Sequence, residues 1–299
     1  MLERVRRRSN SVIAIDLGGT KVAVATVDPR GGVSDRAEEP VDTSDVIGQI
    51  VRLSRDRKAS AIGVAVPGLV RRNGMVWAPN LPGWDHVPLA RMLKKRLDIP
   101  AFVESDRNAV VLGEAWRGAG RGKTDVIGLI VGTGIGAGIL SDGRLIRGSH
   151  ELSGCAGWMV VSDDVNDMTP RSGALEALVA GPAVARAYGG KKQPRATASD
   201  AAEAARKGNP HALDIFSRVA RQLGHAIANL ISLFDPQVIV LTGGLTNAAD
   251  LFFDEMKRAV IDRAQPLSVP DVEIVVSALG VEANLLGAAR VALSGMEKE

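Results

Sequence analysis

The sequence predicts a mixed α/β protein of two lobes, and three observations predict it. At 299 residues the chain is longer than one hydrophobic core usually serves, so two lobes of about 100–200 residues each are expected. Short β-branched apolar runs alternate with stretches of helical periodicity along the whole chain, the grammar of a mixed α/β fold. A strand, a glycine turn carrying a threonine and a second strand occur twice, at residues 11–27 and 126–140, which points to a duplicated architecture.

Each element follows in order. Residues 11–15 and 21–27 read as a β-hairpin with Leu17, Gly18, Gly19 and Thr20 at its tip. Residues 44–53 fit a helix with Ser44 as N-cap, and 59–68 a buried strand stopped by Pro67 and Gly68. Pro88 suits a first helical turn, and Leu89, Met92, Leu93 and Leu97 give a helix over 88–100 one apolar face. A strand at 101–104 leads into a helix from Arg107 to about Gly118. The glycine-rich, basic stretch 117–124 marks a boundary, so the lobes are expected at 1–118 and 119–280. After the second hairpin, the longest helix, 212–233, repeats Phe216, Val219, Leu223, Ile227 and Leu230 every three or four residues and ends at Asp235-Pro236. A strand with a glycine turn at 238–244, a strand at 272–276 and a helix at 281–293 close the pattern.

Composition narrows the classes. Apolar residues make up 45% and charged residues 24%, ordinary for a globular chain and against disorder. The net charge is only +3, and Arg4, Arg6, Arg7 and Arg8 form a basic tail that fits a solvated terminus better than a nucleic-acid contact. The early apolar run is broken by Asp16, so no secretory signal is read, and no stretch reaches the ~18 apolar residues of a membrane span. The single Cys155 excludes an internal disulfide and a multi-cysteine metal site, and a cytoplasmic location is expected.

Three glycine turns carry the functional reading: Gly18-Gly19-Thr20-Lys21, Gly132-Thr133-Gly134-Ile135-Gly136 and Thr242-Gly243-Gly244. Without Cβ, such turns bring backbone N–H groups close to an anion. Taken singly, each fits a plain hairpin reversal at least as well as a phosphate cradle. Asp16, a carboxylate at a strand end, suits a water-mediated Mg²⁺ site, because Mg²⁺ keeps several waters. No GxxxxGK[ST] occurs, and the second turn lacks the GxGxxG spacing and leads into a strand, which disfavours P-loop and Rossmann nucleotide sites.

Together these motifs resemble the ROK family of bacterial sugar kinases and regulators, within the actin-like ATPase superfamily, over nearly the whole chain. Asp16–Lys21 (DLGGTK) is similar to the family's first phosphate loop, Gly132–Gly138 to its second, and Gly243-Gly244 to the turn beside the adenosine. The acceptor side is similar through APNLPGW (residues 78–84) and ESDRNAVVLGE (residues 104–114). The resemblance implies a two-lobed actin-like fold whose C-terminal helix, 281–299, returns to the small lobe. It implies that Asp106 takes the proton from the sugar hydroxyl; the residues alone fit a cap for the following helix better, and the two roles are compatible. It further implies ATP and Mg²⁺, with Thr20, Lys21, Thr133 and Gly134 on the phosphates, and transfer of the γ-phosphoryl to a hexose or amino-sugar hydroxyl, O6, as lobe closure excludes water. A homodimer is expected.

The resemblance breaks in one region. Where the family carries AGExGH and a CxCGxxGCxE zinc segment, this chain has GSHELSGCAGW (residues 148–158) and DMTPRSGALE (residues 167–176). The family's sugar-contacting Glu falls on Cys155, its zinc-ligating His on Trp158, and its three zinc cysteines on Asp167, Thr169 and Ala174, so no structural zinc is expected. Trp158 is expected to fill the vacated volume by aromatic packing and Cys155 to be a small buried filler; His150-Glu151 is expected to be a surface turn in preference to a polar contact restored to the pocket. The Asn before the base is Ser105 here. Asn80, Ser105, Asp106 and Glu176 remain as acceptor contacts, with Gly68 at the pocket edge. Each hydrogen bond to a sugar left unmade in a dry site costs about 1–3 kcal/mol, so the acceptor need not be glucose. Two rival readings are a catalytically weak or inactive sugar- or nucleotide-binding regulator of the same family, and a DNA-binding repressor. Repressors of the family carry a helix-turn-helix segment ahead of the first phosphate loop, where this chain has only a short stretch, so no nucleic-acid partner is expected. Donors other than ATP, such as polyphosphate, occur in the wider family.

Overall fold

The computed structural model describes residues 10–163, 166–191 and 193–297; the basic tail Arg4, Arg6, Arg7 and Arg8 lies outside them. The first apolar run forms β1 (Val12–Leu17), and β2 (Lys21–Val27) folds back on it with Asp16 opposite Ala23. The Gly18 N–H closes the tip onto the Lys21 carbonyl at 2.9 Å. β3 (Val33–Pro40) continues the meander. It is a charged, exposed edge strand, the kind of sequence that blocks further pairing and hides a strand from hydrophobic pattern reading. Then come α1 (Val46–Ser54), β4 (Ile62–Val66), the short hairpin β5 (Leu69–Val70) and β6 (Val76–Trp77), α2 (Leu89–Leu97), β7 (Ala101–Ser105) and α3 (Asp106–Arg117). The N-cap of α1 is Asp45, not Ser44: its carboxylate accepts from the Gly48 N–H, while the Ser44 hydroxyl donates to Asp42.

The second half runs β8 (Val126–Val131), β9 (Ile135–Ser141), β10 (Arg144–Leu145), a 3-10 turn at Ala156–Trp158, α4 (Thr169–Ser172), α5 (Ala174–Val179), α6 (Gly181–Gly189), α7 (Ala198–Arg206), α8 (Pro210–Phe234), β11 (Val238–Thr242), a 3-10 segment at Gly244–Leu251, α9 (Phe253–Ile261), β12 (Glu273–Val276) and α10 (Glu282–Met296). Two five-stranded sheets result, ordered β3-β2-β1-β4-β7 and β10-β9-β8-β11-β12. In each, an antiparallel meander is extended by two parallel strands, so the duplication expected from the glycine hairpins extends to the whole sheet.

The chain divides into two compact units. The first takes residues up to Arg121, the short segment 147–152 and the chain from Val281 onward; the second takes Gly122–Ile146 and Ser153–Gly280. The first core packs Ile13, Ile15, Leu17, Ile50, Ile62, Leu89 and Leu93. Its sheet is covered by α10, which approaches so closely that a Cβ on Gly63 of β4 would lie 1.8 Å from the Ala288 carbonyl oxygen; α10 meets α3 as closely, a Cβ on Gly287 lying 1.8 Å from the Ala109 carbonyl oxygen. The second core is built on the α8 stripe, with Phe216 and Leu223 fully buried against Ile127, Leu129 and Leu175. Among the described residues no helix is long and apolar enough to cross a membrane.

Candidate active site

In the first unit β1, β4 and β7 are parallel, so their carboxyl ends lie side by side: Asp16 is in register with Ala65, and Ala65 with Glu104. Asp106 follows immediately, in the first turn of α3, after Ser105 at the N-cap. Open α/β sheets bind ligands at this end of their strands. The β1–β2 tip brings Gly19 against Asn80, whose Cβ would be 3.4 Å from a Cβ placed on the glycine. Thr20 is exposed at the tip, and the Lys21 ammonium pairs at 2.8 Å with Glu38 of β3. Gly68 follows β4 and lies against the backbone of Trp77. Ser105 is buried, and its hydroxyl has no hydrogen-bond partner among the described residues.

Two carboxylates share this end of the sheet, and their electrostatics are coupled. Burial and then the charge of Asp106 push Asp16 up to about 7, with Glu38 adding to the rise; a hydrogen bond from the Asn284 side chain and the Arg36 guanidinium pull the other way. Asp106 is also raised, by burial, against the Arg107 N–H at 2.8 Å and the Arg107 guanidinium. A partly protonated acid of this kind gains from a nearby dication. Beside it the Asn284 Oδ1 is enclosed and without a partner among the described residues, an acceptor suited to a metal-held water. The donor set therefore fits a hydrated Mg²⁺. Among the described residues no group of three or more His, Cys, Asp or Glu side chains is disposed to hold a metal directly.

In the second unit β8 and β11 are parallel neighbours, so the turns at their ends meet: a Cβ on Gly132 would lie 3.5 Å from the Gly244 nitrogen. Gly132 donates to the Gly134 carbonyl and accepts from the Gly181 N–H, while Thr133 is exposed at the tip and Gly136 sits within β9 opposite Ile130. Gly243 has φ +96° and packs on the Val131 backbone, where a side chain would collide; Gly244 beside it faces open space. Glu176, on α5, turns its carboxylate onto the second glycine turn and accepts the Ile135 N–H at 2.7 Å. Burial raises its titration and that N–H opposes the rise.

Three expectations are corrected here. Trp158 does not fill a core volume: it is 57% exposed, because the backbone of its 3-10 turn packs on Gly173 and leaves the indole outside. Cys155 is half-buried rather than a buried filler. Glu151 is not a surface residue. Its side chain is 10% exposed and engaged by arginines, although His150 beside it is exposed.

The model of the ROK family matches residues 12–294. The chain belongs to the ROK family. It is 34% identical to a glucokinase of Thermotoga maritima over 94% of this chain and 96% of that protein. Among solved structures, a ROK glucokinase from Streptomyces griseus in complex with glucose and AMPPNP superposes with a TM-score of 0.78 at 28% identity, covering 95% of this chain and all of that one. A ROK hexokinase from Thermus thermophilus does so with a TM-score of 0.82, also at 28% identity, over 97% of this chain and all of that one. The fold is that of the actin-like ATPases, as ROK sugar kinases have it.

Within this ROK chain, sequence reasoning overlooked Asn284 and the charged residues around Glu104. Asn284 carried a signal: it is the one amide in an apolar, alanine-rich terminal helix, where a polar residue on a packed face invites a partner. The Glu104 cluster carried none, since its members come from remote stretches of chain.

Proposed function

We propose that this ROK chain is a glucokinase-like sugar kinase, transferring the γ-phosphoryl group of ATP to a hydroxyl, O6, of a hexose or amino sugar. The observation that carries the reading is the pairing of Asp16 and Asp106 at the carboxyl end of three parallel strands, next to the DLGGTK tip. The names of its relatives make glucose the first acceptor to test.

In this reading Asp106 accepts the proton of the sugar hydroxyl as its oxygen attacks the γ-phosphorus and ADP leaves. A carboxylate held above its ordinary range by burial is the stronger base for that transfer, and the Arg107 charge opposes the rise. Asp16, with Asn284 beside it, would hold the waters of Mg²⁺, which when bound offsets the negative charge of the phosphates. Gly18, Gly19, Thr20 and Lys21 are assigned to the phosphates from the first tip, and Thr133 and Gly134 from the second. Gly243 and Gly244 are assigned to the adenosine. Asn80 and Glu176 are assigned to the sugar; Glu176, bonded to Ile135, would act on the phosphate turn as well. A homodimer located in the cytoplasm and lacking zinc completes the proposal, which light scattering, fractionation and metal analysis test.

The deciding experiment measures ADP release against a panel of hexoses and amino sugars, with the phosphorylated position read by NMR. Asp106→Ala should abolish transfer and leave ATP affinity nearly unchanged. Absence of turnover with every sugar, with sugar or nucleotide still bound, would favour the inactive-regulator reading that the Cys155 and Trp158 replacements raise.

A further inference from the structure

Five charged side chains of the first unit meet beside the turn that carries Asp106, and the chemistry above uses none of them as acid, base or ligand. Glu104, the next-to-last residue of β7, has a side chain only 7% exposed. One of its oxygens accepts the Ser105 N–H and the Asn108 amide, both at 3.0 Å, so Glu104 knits the strand to the first turn of α3. Its other oxygen accepts from Arg147. Arg147 opens the segment 147–152, which the second half of the chain contributes to this unit. Further along it, the Glu151 carbonyl accepts from Arg107 at 3.0 Å, and the Glu151 carboxylate is held by Arg72 at 3.0 Å with Arg147 at 3.9 Å.

These bonds close a ring. From Glu104 the backbone runs to Arg107; Arg107 binds the Glu151 carbonyl; the chain runs back to Arg147; and Arg147 returns to Glu104. Asp106 lies on the ring's short arm. Exposed ion pairs contribute little, but here both carboxylates are sheltered, and burying them is costly without their partners. Glu151 also has φ +60°, a backbone conformation that side chains disfavour. Strain of this kind persists where surrounding contacts over-determine it, and it concentrates at functional positions.

We propose that Arg147 is a positioning residue for phosphoryl transfer: it clamps segment 147–152 onto Glu104, and so holds Arg107 and the β7–α3 turn in the geometry that presents Asp106. The inference rests on the reading of Asp106 as the base. Among the described residues, the charged groups that act on Asp106 are Asp16 from β1 and Arg107 from its own helix. Arg107 favours the ionised form, so loosening it moves the titration of the base upward.

The test compares the full chain with Arg147→Ala, Arg147→Lys, Glu104→Gln and the double variant Glu104→Gln/Arg147→Ala, with Asp106→Ala alongside, by steady-state kinetics from acid to neutral pH. Arg147→Ala is expected to lower kcat about tenfold or more, leave the KM for ATP unchanged and move the acid limb of kcat/KM to higher pH. Arg147→Lys should recover part of the loss, and the double variant should be little worse than Arg147→Ala, because the pair acts as a unit. A folded Arg147→Ala protein with an unmoved acid limb overturns the proposal, even if its rate falls with the folded fraction. Should that variant not fold, Arg147→Lys and Glu104→Gln decide on the same criterion. Wild-type turnover by Asp106→Ala would remove the base assignment instead, whatever Arg147 does.

Discussion

Replacing Asp16 with Asn should stabilise the protein while silencing it. Folding lifts this carboxyl from an ordinary 3.8 to about 7, first through burial and then through Asp106, so the ionised form is the disfavoured one. The folded state therefore binds more protons than the unfolded state between those limits. Stability from this group is complete below about pH 4 and is lost as pH rises through 7. Three pH decades at about 1.4 kcal/mol each set a ceiling of roughly 4 kcal/mol, and because the residue keeps some contact with solvent a working figure is about 2 kcal/mol. Chemical denaturation of the metal-free protein at several pH values between 5 and 8, wild type beside Asp16→Asn, isolates the contribution of the Asp16–Asp106 pair, since titrating groups away from that pair cancel in the difference. The variant should gain on the wild type steadily with pH, reaching about 2 kcal/mol at pH 8, or a few degrees in Tm. Mg²⁺ with nucleotide should stabilise the wild type and not the variant. A stability difference that is flat with pH would refute the electrostatic account of Asp16.

Two further substitutions test the packing and the second glycine turn. Gly287→Ala places a methyl 1.8 Å from the Ala109 carbonyl oxygen, with backbone on both sides, and should cost about 3 kcal/mol or more by denaturant melt; a variant within 1 kcal/mol of wild type would mean that α10 can slide on α3. Glu176→Ala strips the acceptor from the Ile135 N–H, an omission worth about 1–3 kcal/mol, and should raise the KM for ATP about tenfold together with that for sugar. A rise confined to the sugar would assign Glu176 to the acceptor alone.

What could be read from the sequence follows from where the information sits. The glycine hairpins and α8 were legible because their signals are local: turn residues between β-branched runs, and a stripe whose Phe216, Val219, Leu223, Ile227 and Leu230 are all buried. β3 was missed because its residues are charged and face solvent, so neither periodicity nor hydrophobicity marks it. α7 does carry a local signal, the complete capping box of Thr197 and Asp200, but its alanine-rich sequence lacks the large apolar stripe that marks α8. At the site, the placing of Asp106 at the strand-to-helix junction was legible because it is written in a short local motif. The ring through Arg147 and Glu104 spans 43 residues of chain, and only the folded backbone brings its ends together. Trp158 was misjudged because a large apolar side chain was assumed to seek cover, whereas glycine contacts in the backbone fix its turn.

The origin of α10 has a consequence for biosynthesis. This helix walls the first sheet, touching α3, β1 and β4, yet it is made after the entire second unit. As the chain leaves the ribosome, the earliest strands must wait with an open apolar face while some 160 further residues emerge, a period in which a chaperone or an aggregate can claim them. Truncation near residue 120 would leave that face permanently bare, so expressing the N-terminal half alone should yield insoluble material unless the terminal helix is supplied as a separate peptide.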